Sequence, residues 1–479
     1  MAPDHLIEVS FEIGNKVGGI HQVIKSKAQK MQDFYGSSYL AIGYYEEESA
    51  REEFIPREDV DYDIPQQLED KGLEVYSGVW DVEGKPRTLL VDASDYSIDI
   101  DKIKEELWNE YSIDSLGSGP EFEDPVKWAY AVGEIVNSIE ENHQGSKVLH
   151  THEWLSAPAI FNSEVPSVFT THATVLGRAL SNSDFDLRSA VKDGFVDDAL
   201  ADEMDVKTKH QTEKAAAEAA DVFTTVSKVT GEEAEAVLGQ KPDVILPNGF
   251  NVEDFPSLEE LSYQHTRKKE QIKDFLRAYF EPYYDVNLED DPRIIFTSGR
   301  YEFHNKGLDV FIDALGELNR RDGEELFAFI FVPSGTVGPR QEVLENMSLY
   351  EELDDFMESR MPEIKKKAVN AVTSGRDPAV EVADVIREGS DISSLQRKFH
   401  DRKDRSPPLC AFDLDYPHDS IIERLMEQGL RNRESDRVKV VFYPSYLSMG
   451  DRMLSMDYND AIVASSAGIF PSYYEPWGY

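Results

Sequence analysis

The alternation of short apolar segments with helical stretches is the feature that most limits how this chain can fold. Apolar runs typical of buried strands occur at 5–13, 40–42, 147–150, 168–171, 222–226 and 244–246, and again at 294–296, 326–332, 438–443 and just before Pro471. Amphipathic helical stretches separate them, and Asp124 with Pro125 is expected to begin one of these helices as cap and first-turn proline. Such alternation predicts α/β folding, with parallel sheets covered by helices on both faces.

The length of 479 residues is too great for one hydrophobic core and fits two domains. We predict a first domain over 1–250, a charged linker or helical region over 251–290, and a second domain over 291–479. Residues 341–403 interrupt the second domain with a long, polar, helical insertion. This insertion is either an oligomerisation surface or a solvated excursion, because its apolar heptads are weak.

Charge excludes some partners. The chain has 49 Lys+Arg and 93 Asp+Glu, which gives a formal net charge of −44. Such a polyanion repels nucleic acid and anionic membranes, so neither is an expected partner. The acids are dispersed, as in 46–48, 52–53, 289–291 and 351–352, which favours adaptation to high salt over an ordinary acidic cytosolic protein.

The cysteine content and the distribution of apolar residues limit the cellular location of the chain. The single cysteine, Cys410, rules out a disulfide within the chain and a cysteine zinc site. The first residues contain no basic and apolar signal sequence, and no run of about 18 apolar residues occurs that could span a membrane. We therefore predict a soluble, cytoplasmic protein.

Two loops between a strand and a helix carry features of phosphate binding. Lys16 precedes Gly18 and Gly19, whose backbone could approach a diphosphate at a helix N-terminus, although such glycines more often form only a turn. Arg300 and Lys306 lie in the second loop and could clamp a departing diphosphate. The alternative for these two cations is a surface salt bridge to a neighbouring acid.

Other segments at strand ends suit carbohydrate. His172 follows the strand 168–171, where it could hydrogen-bond a sugar hydroxyl or could be a satisfied loop histidine. Residues 473–479 place the carboxylate of Glu475 among aromatic side chains that include Trp477. Aromatic rings pack on sugar C–H faces and carboxylates accept hydrogen bonds from sugar hydroxyls.

Together these blocks resemble the eukaryotic-type glycogen synthases in order and spacing. The resemblance is carried by 12–28, 169–178, 222–230, 246–255, 296–318 and 468–479, and also by 437–440 followed by Tyr443 and Pro444. It spans nearly the whole chain and is least evident in 50–120 and 340–400. Each block alone is modest, whereas the set is highly specific.

The resemblance implies the GT-B glycosyltransferase fold, with two Rossmann-like domains and an active site in the cleft between them. It implies transfer of glucose from UDP-glucose to the 4-hydroxyl of a glycogen or other α-1,4-glucan end, with retained anomeric configuration, no cofactor and no metal. Carried over by position, the implied diphosphate contacts are Arg300, Lys306, Lys16, Gly18 and Gly19. The implied sugar and uracil contacts are His172, Arg178, Asn248, Glu475 and Tyr458. The aromatic pattern of 473–479 adds Trp477 as a substrate contact, and we assign catalysis to Glu475, His172, Arg178, Arg300 and Lys306.

The sequence departs from the family at its end. The family has a second glutamate eight residues after the one matched by Glu475, but only four residues follow Glu475 here. We therefore expect an incomplete second domain, in a fragment or in a truncated gene product. Two other hypotheses stay open: a non-catalytic relative that binds glucan or oligomerises, and another GT-B synthase of the sucrose or trehalose type.

Overall fold

The computed structural model describes residues 3–478 except for 17, 61, 63, 184, 250–255, 287, 289–290, 388–395, 401 and 404. Residue 17 of the first glycine loop, 250–255 and 479 of the family-like blocks, and 289–290 of an acidic run therefore lie outside the described residues. The chain forms two compact units. Unit 1 comprises Met1–Val252 with Tyr474–Tyr479, and unit 2 comprises Glu253–Tyr473.

Unit 1 is built on one nine-stranded sheet with the order β3-β4-β5-β2-β1-β6-β7-β8-β9. Its strands are β1 His5–Val9, β2 Tyr39–Tyr44, β3 Phe54–Pro56, β4 Glu74–Trp80, β5 Arg87–Asp92, β6 Lys147–His152, β7 Ser167–Thr171, β8 Val222–Thr225 and β9 Val244–Ile245. In the order of the sheet, neighbouring strands from β5 across β2 and β1 to β9 pair in parallel. Strands β3 and β4 extend the sheet beside β5 with antiparallel pairing. The parallel part is the sheet that the alternating pattern predicts.

Helices cover the unit 1 sheet. They are α1 Gly19–Tyr35, α2 Glu47–Glu53, α3 Gln66–Glu69, α4 Ile100–Tyr111, α5 Pro120–Asn142, α6 Glu153–Ser156, α7 Pro158–Phe161, α8 Val175–Ser181, α9 Leu187–Asp193, α10 Leu200–Glu203, α11 Lys207–Ala219 and α12 Lys228–Leu238, with a 3-10 turn at Gly36–Ser38. Helix α5 begins at Pro120, so the start predicted at Asp124 and Pro125 was wrong. Proline in the first turn suits Pro120, and burial of Phe122 accounts for the earlier start.

Unit 2 has a four-stranded parallel sheet of order β14-β11-β10-β15 and an antiparallel pair, β12 and β13. The elements are α13 Leu258–Phe280, β10 Arg293–Ser298, α14 Leu308–Asn319, β11 Leu326–Phe331, β12 Thr336–Pro339, α15 Gln341–Thr373, α16 Pro378–Arg387, β13 Phe412–Leu414, α17 Ser420–Glu427, β14 Val438–Phe442, α18 Tyr458–Ala464 and β15 Ala467–Gly468. Both units are therefore parallel α/β structures, which confirms the predicted fold class.

Helix α13 belongs to the core of unit 2, although the sequence suggests a linker region there. Its C-terminal half buries an apolar face that includes Ile272, Phe275 and Tyr279. Phe275 packs against Phe329 of β11, with ring centroids 6.1 Å apart. Burial of such side chains stabilises a fold by about 1.5–3 kcal/mol each, so this face fixes α13 to the sheet.

The insertion at 341–403 contains α15 and α16, and its start is attached to unit 2. Val343, Asn346 and Leu349 are buried, and the Asn346 amide donates to the Tyr283 hydroxyl at 3.2 Å. Farther along α15, exposed apolar side chains include Met361. Oligomerisation through this insertion stays a prediction.

In the described part of the chain, every helix is too short or too polar to cross a bilayer.

Candidate active site

Three neighbouring strands of unit 1 end at the same edge of the sheet. Strand β1 pairs in parallel with β6, and β6 pairs in parallel with β7. Their carboxyl ends lead to the glycine loop before α1, to His152, and to His172. Open α/β sheets bind ligands at this edge, so these loops form the candidate site of unit 1.

The glycine loop before α1 contains an acid that the sequence argument did not consider. Lys16 and Gly19 are exposed and Gly18 is partly buried. A Cβ added at Gly18 would lie 2.5 Å from an Oε atom of Glu12, so a larger residue there would displace the end of the Glu12 side chain. The Glu12 carboxylate accepts a hydrogen bond from the backbone N–H of His21 at 2.7 Å. Glu12 thus occupies part of the electropositive start of α1, and an anion bound beside Lys16 would meet this carboxylate.

His172 ends a buried chain of hydrogen bonds that begins at Glu8. The Glu8 carboxylate is fully buried, accepts a hydrogen bond from the Tyr39 hydroxyl at 2.6 Å and pairs with the Lys27 ammonium. His152 Nε2 lies 2.8 Å from Glu8 Oε1, and His152 Nδ1 lies 3.0 Å from His172 Nε2. Burial opposes charge on Glu8, but Lys27 and the hydrogen bond from His152 hold its pKa well below the usual range. Burial lowers the pKa of His152 and of His172, which favours the neutral form of both rings.

Three buried glutamates surround the turn that follows β7. Glu153 accepts from the backbone N–H of His172 at 2.8 Å, and Glu213 accepts from the Thr171 hydroxyl at 2.5 Å. Glu233 accepts from the Thr174 hydroxyl at 2.5 Å. Burial raises the pKa of all three carboxyls, and the neighbouring Glu153 helps to raise the pKa of Glu213 to about 8.

Arg178 supplies positive charge beside this cluster from an exposed position on α8. Its guanidinium opposes the burial that raises the pKa of Glu153 and of Glu233, and its charge adds to the burial that lowers the pKa of His172. Helix α8 is anchored by Thr174, whose hydroxyl accepts from the Gly177 N–H at 3.0 Å. The turn therefore holds Arg178 close to His172.

In unit 2, the loop after β10 carries the two predicted cations. Arg300 is exposed and Lys306 is partly buried. Arg300 Nη2 lies 2.8 Å from Glu302 Oε1, which is the salt bridge that the sequence analysis named as an alternative to ligand binding. Gly307 has φ +63°, and a Cβ there would lie 1.9 Å from the backbone oxygen of Pro471. The loop conformation thus requires glycine at 307.

Tyr458 lies at the same end of β10 as Arg300. Its hydroxyl is 2.7 Å from the Ser298 hydroxyl, and its ring packs edge-on against Phe296 with centroids 6.3 Å apart. The side chain is 42% exposed, so one part of the ring is open to a ligand. Unit 2 therefore presents an aromatic ring beside two cations.

The aromatic segment at the end of the chain packs with unit 1, although the sequence places it in the second domain. The Tyr474 hydroxyl donates to Glu233 at 2.8 Å, and this contact accounts for the placement. Glu475 is exposed and Trp477 is partly buried. Asn248, which follows β9, is partly buried as well.

The structure groups the candidate residues within each unit. His172 and Arg178 share one turn of unit 1, and Arg300, Lys306 and Tyr458 surround the carboxyl end of β10. These residue roles stay predictions, because position alone does not test them.

Sequence reasoning missed the ionisable groups beneath His172. They are Glu8 and His152 in strands and Glu153, Glu213 and Glu233 in helices. A signal existed for Glu8, which interrupts an apolar strand, and for His152 and Glu153, which closely follow the apolar run 147–150. Charged residues are rarely buried unless they are paired, so an acid inside an apolar strand indicates a polar partner.

One group of side chains has the spacing of metal ligands. Atoms of Glu8, His150 and His152 lie within 4.8 Å of one another. However, the Lys27 ammonium already pairs with Glu8, and His152 Nε2 lies within hydrogen-bond distance of Glu8 Oε1, at 2.8 Å. Because these contacts use the positions that a metal ion would need, the group fits a hydrogen-bonded network better than a metal site.

Comparison with known proteins agrees with the sequence analysis. The family model described as glycogen synthase matches residues 8–479. The chain is 34% identical to glycogen [starch] synthase of Neurospora crassa, with 99% of this chain and 69% of that protein covered. It is 32% identical to the liver glycogen [starch] synthase of Homo sapiens, with the same shares covered. The catalytic domain of starch synthase IV from Arabidopsis thaliana, solved with ADP and acarbose, has a TM-score of 0.46 at 13% identity, with 99% of this chain and 79% of that chain covered.

The family match and the two α/β units together identify the class of protein. It is an enzyme of the glycosyltransferase class, with two parallel α/β units that carry cations and aromatic side chains at the carboxyl ends of their strands. Within that class, the chain belongs to the glycogen synthase family, because the family model covers nearly all of it.

Proposed function

We propose that the chain transfers glucose from UDP-glucose to the 4-hydroxyl of an α-1,4-glucan end, with retention of configuration and without a metal ion. The names of the relatives support a glucan acceptor. The side chains described above support a nucleotide-sugar donor, because they combine fixed cations with groups that suit a sugar.

Arg300 and Lys306 bind the diphosphate in this proposal. Cleavage of the glucose–phosphate bond leaves negative charge on the departing diphosphate, and a reaction without a metal needs fixed cations to stabilise it. Arg300 can present a planar fork to phosphate oxygens, and Lys306 can add a point charge. Glu302 keeps the Arg300 side chain at the loop until a phosphate competes for it. Tyr458 stacks on the uracil.

The loops of unit 1 contact the sugars. His172 hydrogen-bonds a hydroxyl of the donor glucose, and Arg178 lies beside it. Asn248, Glu475 and Trp477 contact the donor glucose or the glucan end, since an exposed carboxylate and an indole suit sugar hydroxyls and C–H faces.

Lys16 and the backbone of Gly18 and Gly19 face the diphosphate in this proposal. The Glu12 carboxylate at this loop weakens the pull of the helix N-terminus on an anion. The contribution of Lys16 to donor binding is therefore expected to be smaller than that of Lys306.

The observation that carries the proposal is the grouping of Arg300, Lys306 and Tyr458 at the carboxyl end of β10. The test measures release of UDP from UDP-glucose by this chain in molar KCl, with and without glycogen. Lys306→Ala is expected to lower kcat about 100- to 1,000-fold, which is typical for loss of one fixed group that stabilises transition-state charge.

The matched control is Lys366→Ala, which removes an exposed lysine on α15. It is expected to leave kcat unchanged. Equal rates for Lys306→Ala and the unaltered chain would refute the diphosphate role. UDP release that does not depend on glycogen would refute the glucan acceptor.

A further inference from the structure

One side chain, His152, joins the buried Glu8 carboxylate to His172, and with both histidines neutral the hydrogen bonds have only one consistent arrangement. Glu8 is ionised because the Lys27 ammonium pairs with it, so Glu8 only accepts hydrogen bonds. His152 Nε2, 2.8 Å away, must therefore carry the proton and donate to Glu8. The Tyr39 hydroxyl donates to the other oxygen of the same carboxylate.

The second step follows from the neutrality of His152. A neutral imidazole has one N–H, so its Nδ1 keeps a lone pair once Nε2 donates to Glu8. His172 Nε2 lies 3.0 Å from that Nδ1 and must donate to it. His172 is then left with an unprotonated Nδ1.

We infer that Glu8 and His152 are positioning residues that hold His172 as the Nε2–H tautomer, so that its Nδ1 accepts a hydrogen bond from a hydroxyl of the donor glucose. This inference rests on the proposed function, which places His172 at the sugar. The tautomer is set by strands β1 and β6, while His172 itself follows β7. The buried negative charge of Glu8, at one end of the chain of hydrogen bonds, thus determines which ring nitrogen of His172 is unprotonated at the other end.

The arrangement explains why an acid and two histidines are buried together. A buried polar group must have a partner, and both ring nitrogens of His152 and the Nε2 of His172 have one. His150 does not belong to this chain, because its Nδ1 is 3.8 Å from Glu8 and its Nε2 contacts Thr170.

Two substitutions at His152 separate the tautomer from simple packing. Asparagine places its amide near the position of the imidazole Nδ1, so His152→Asn can still accept the hydrogen bond from His172. Glutamine reaches the position of Nε2, so His152→Gln can still donate to Glu8 but leaves His172 Nε2 without its acceptor. Each variant loses one buried hydrogen bond, which makes them matched controls for stability.

The experiment combines steady-state kinetics with nitrogen-15 spectra of the histidine rings, and His172→Ala assigns the His172 signals. The unaltered chain is expected to show protonated Nε2 and unprotonated Nδ1 at His172, whether or not it is active. His152→Gln is expected to lose this pattern and to lower kcat by roughly 10- to 100-fold, the usual effect of one lost hydrogen bond to a reacting ligand. His152→Asn is expected to keep the pattern and to stay within about threefold of the unaltered chain.

Several outcomes would overturn the inference. Protonated Nδ1 at His172 in the unaltered chain would do so directly, without any activity measurement. Equal losses of kcat in the two His152 variants would show a merely structural role. Full activity in His172→Ala would remove His172 from the sugar, while Lys306→Ala would still test the proposed reaction separately.

Discussion

Glu213 illustrates how one buried residue sets a pH dependence of the whole chain. Its carboxyl accepts hydrogen bonds from the Thr171 hydroxyl and from the Val175 N–H at 2.8 Å, yet burial and the neighbouring Glu153 raise its pKa from 4.5 to about 8. Between these two values the folded chain holds a proton that the unfolded chain has lost. The contribution of Glu213 to stability is therefore full below pH 4.5 and declines as the pH rises through 8.

We predict that Glu213→Gln reduces this decline, because the amide cannot ionise. Compared with the unaltered chain, the variant should gain stability between pH 5 and pH 9, on the order of a few kcal/mol. Urea unfolding at several pH values measures the effect. Glu218→Gln, at an exposed position on the same helix, is the control and should give parallel curves. If the free energies of unfolding of Glu213→Gln and the unaltered chain differ by the same amount at every pH in this range, the raised pKa of Glu213 is refuted.

Candidate site residues that lie in loops are easier to predict from the sequence than the buried ionisable residues that pack under those loops. Arg300 and Lys306 could be selected because cations are scarce here and both follow a strand. The environment of Glu213 could not, because it arises when α11 and α12 pack against the turn after β7. Helix α11 carries Glu213 and α12 carries Glu233, and both meet Glu153 of α6, although the three residues lie far apart along the chain.

At the scale of elements, α13 is a test of what holds unit 2 together. Phe275 is buried and packs against Phe329 and Tyr443, whereas Tyr263 on the same helix is 71% exposed. Phe275→Ala is expected to destabilise unit 2 by about 3–5 kcal/mol, because it removes buried apolar surface and leaves a cavity. Tyr263→Ala should change stability by less than about 0.5 kcal/mol. Chemical unfolding of both variants measures this, and similar small effects would mean that α13 acts as a linker after all.

Most central strands of the parallel sheets are buried, so they appear as continuous apolar runs such as 326–331, which the sequence analysis predicted. It missed β5, although that strand pairs in parallel with β2 and is buried from Thr88 to Val91. Strands β3 and β4 are antiparallel and partly exposed, and their mixed composition hides them. The sequence predicts a charged linker in place of α13 because charged and polar residues outnumber apolar ones in the first half of this helix.

At the scale of the whole molecule, the dominant feature is a net charge of −44. We propose that the chain is adapted to high salt, since dispersed acids of one sign repel one another when the chain folds. Folding concentrates this charge into a smaller volume, so the repulsion is greater in the folded chain than in the unfolded chain. Ion pairs such as Lys147 with Glu140 offset only a small part of it.

Screening gives this proposal a measurable consequence. The Debye length falls from about 10 Å at 0.1 M salt to about 3 Å at 1 M, which removes most repulsion between surface acids. We expect the Tm to rise steeply over this range of KCl and to rise by the same amount in KBr at equal ionic strength, because screening depends on ionic strength and not on the anion. Calorimetry in both salts measures it. A Tm that does not change with salt would contradict the proposal. A Tm that follows the identity of the anion would instead indicate an effect of the salts on hydration, since such effects act on exposed apolar and peptide groups.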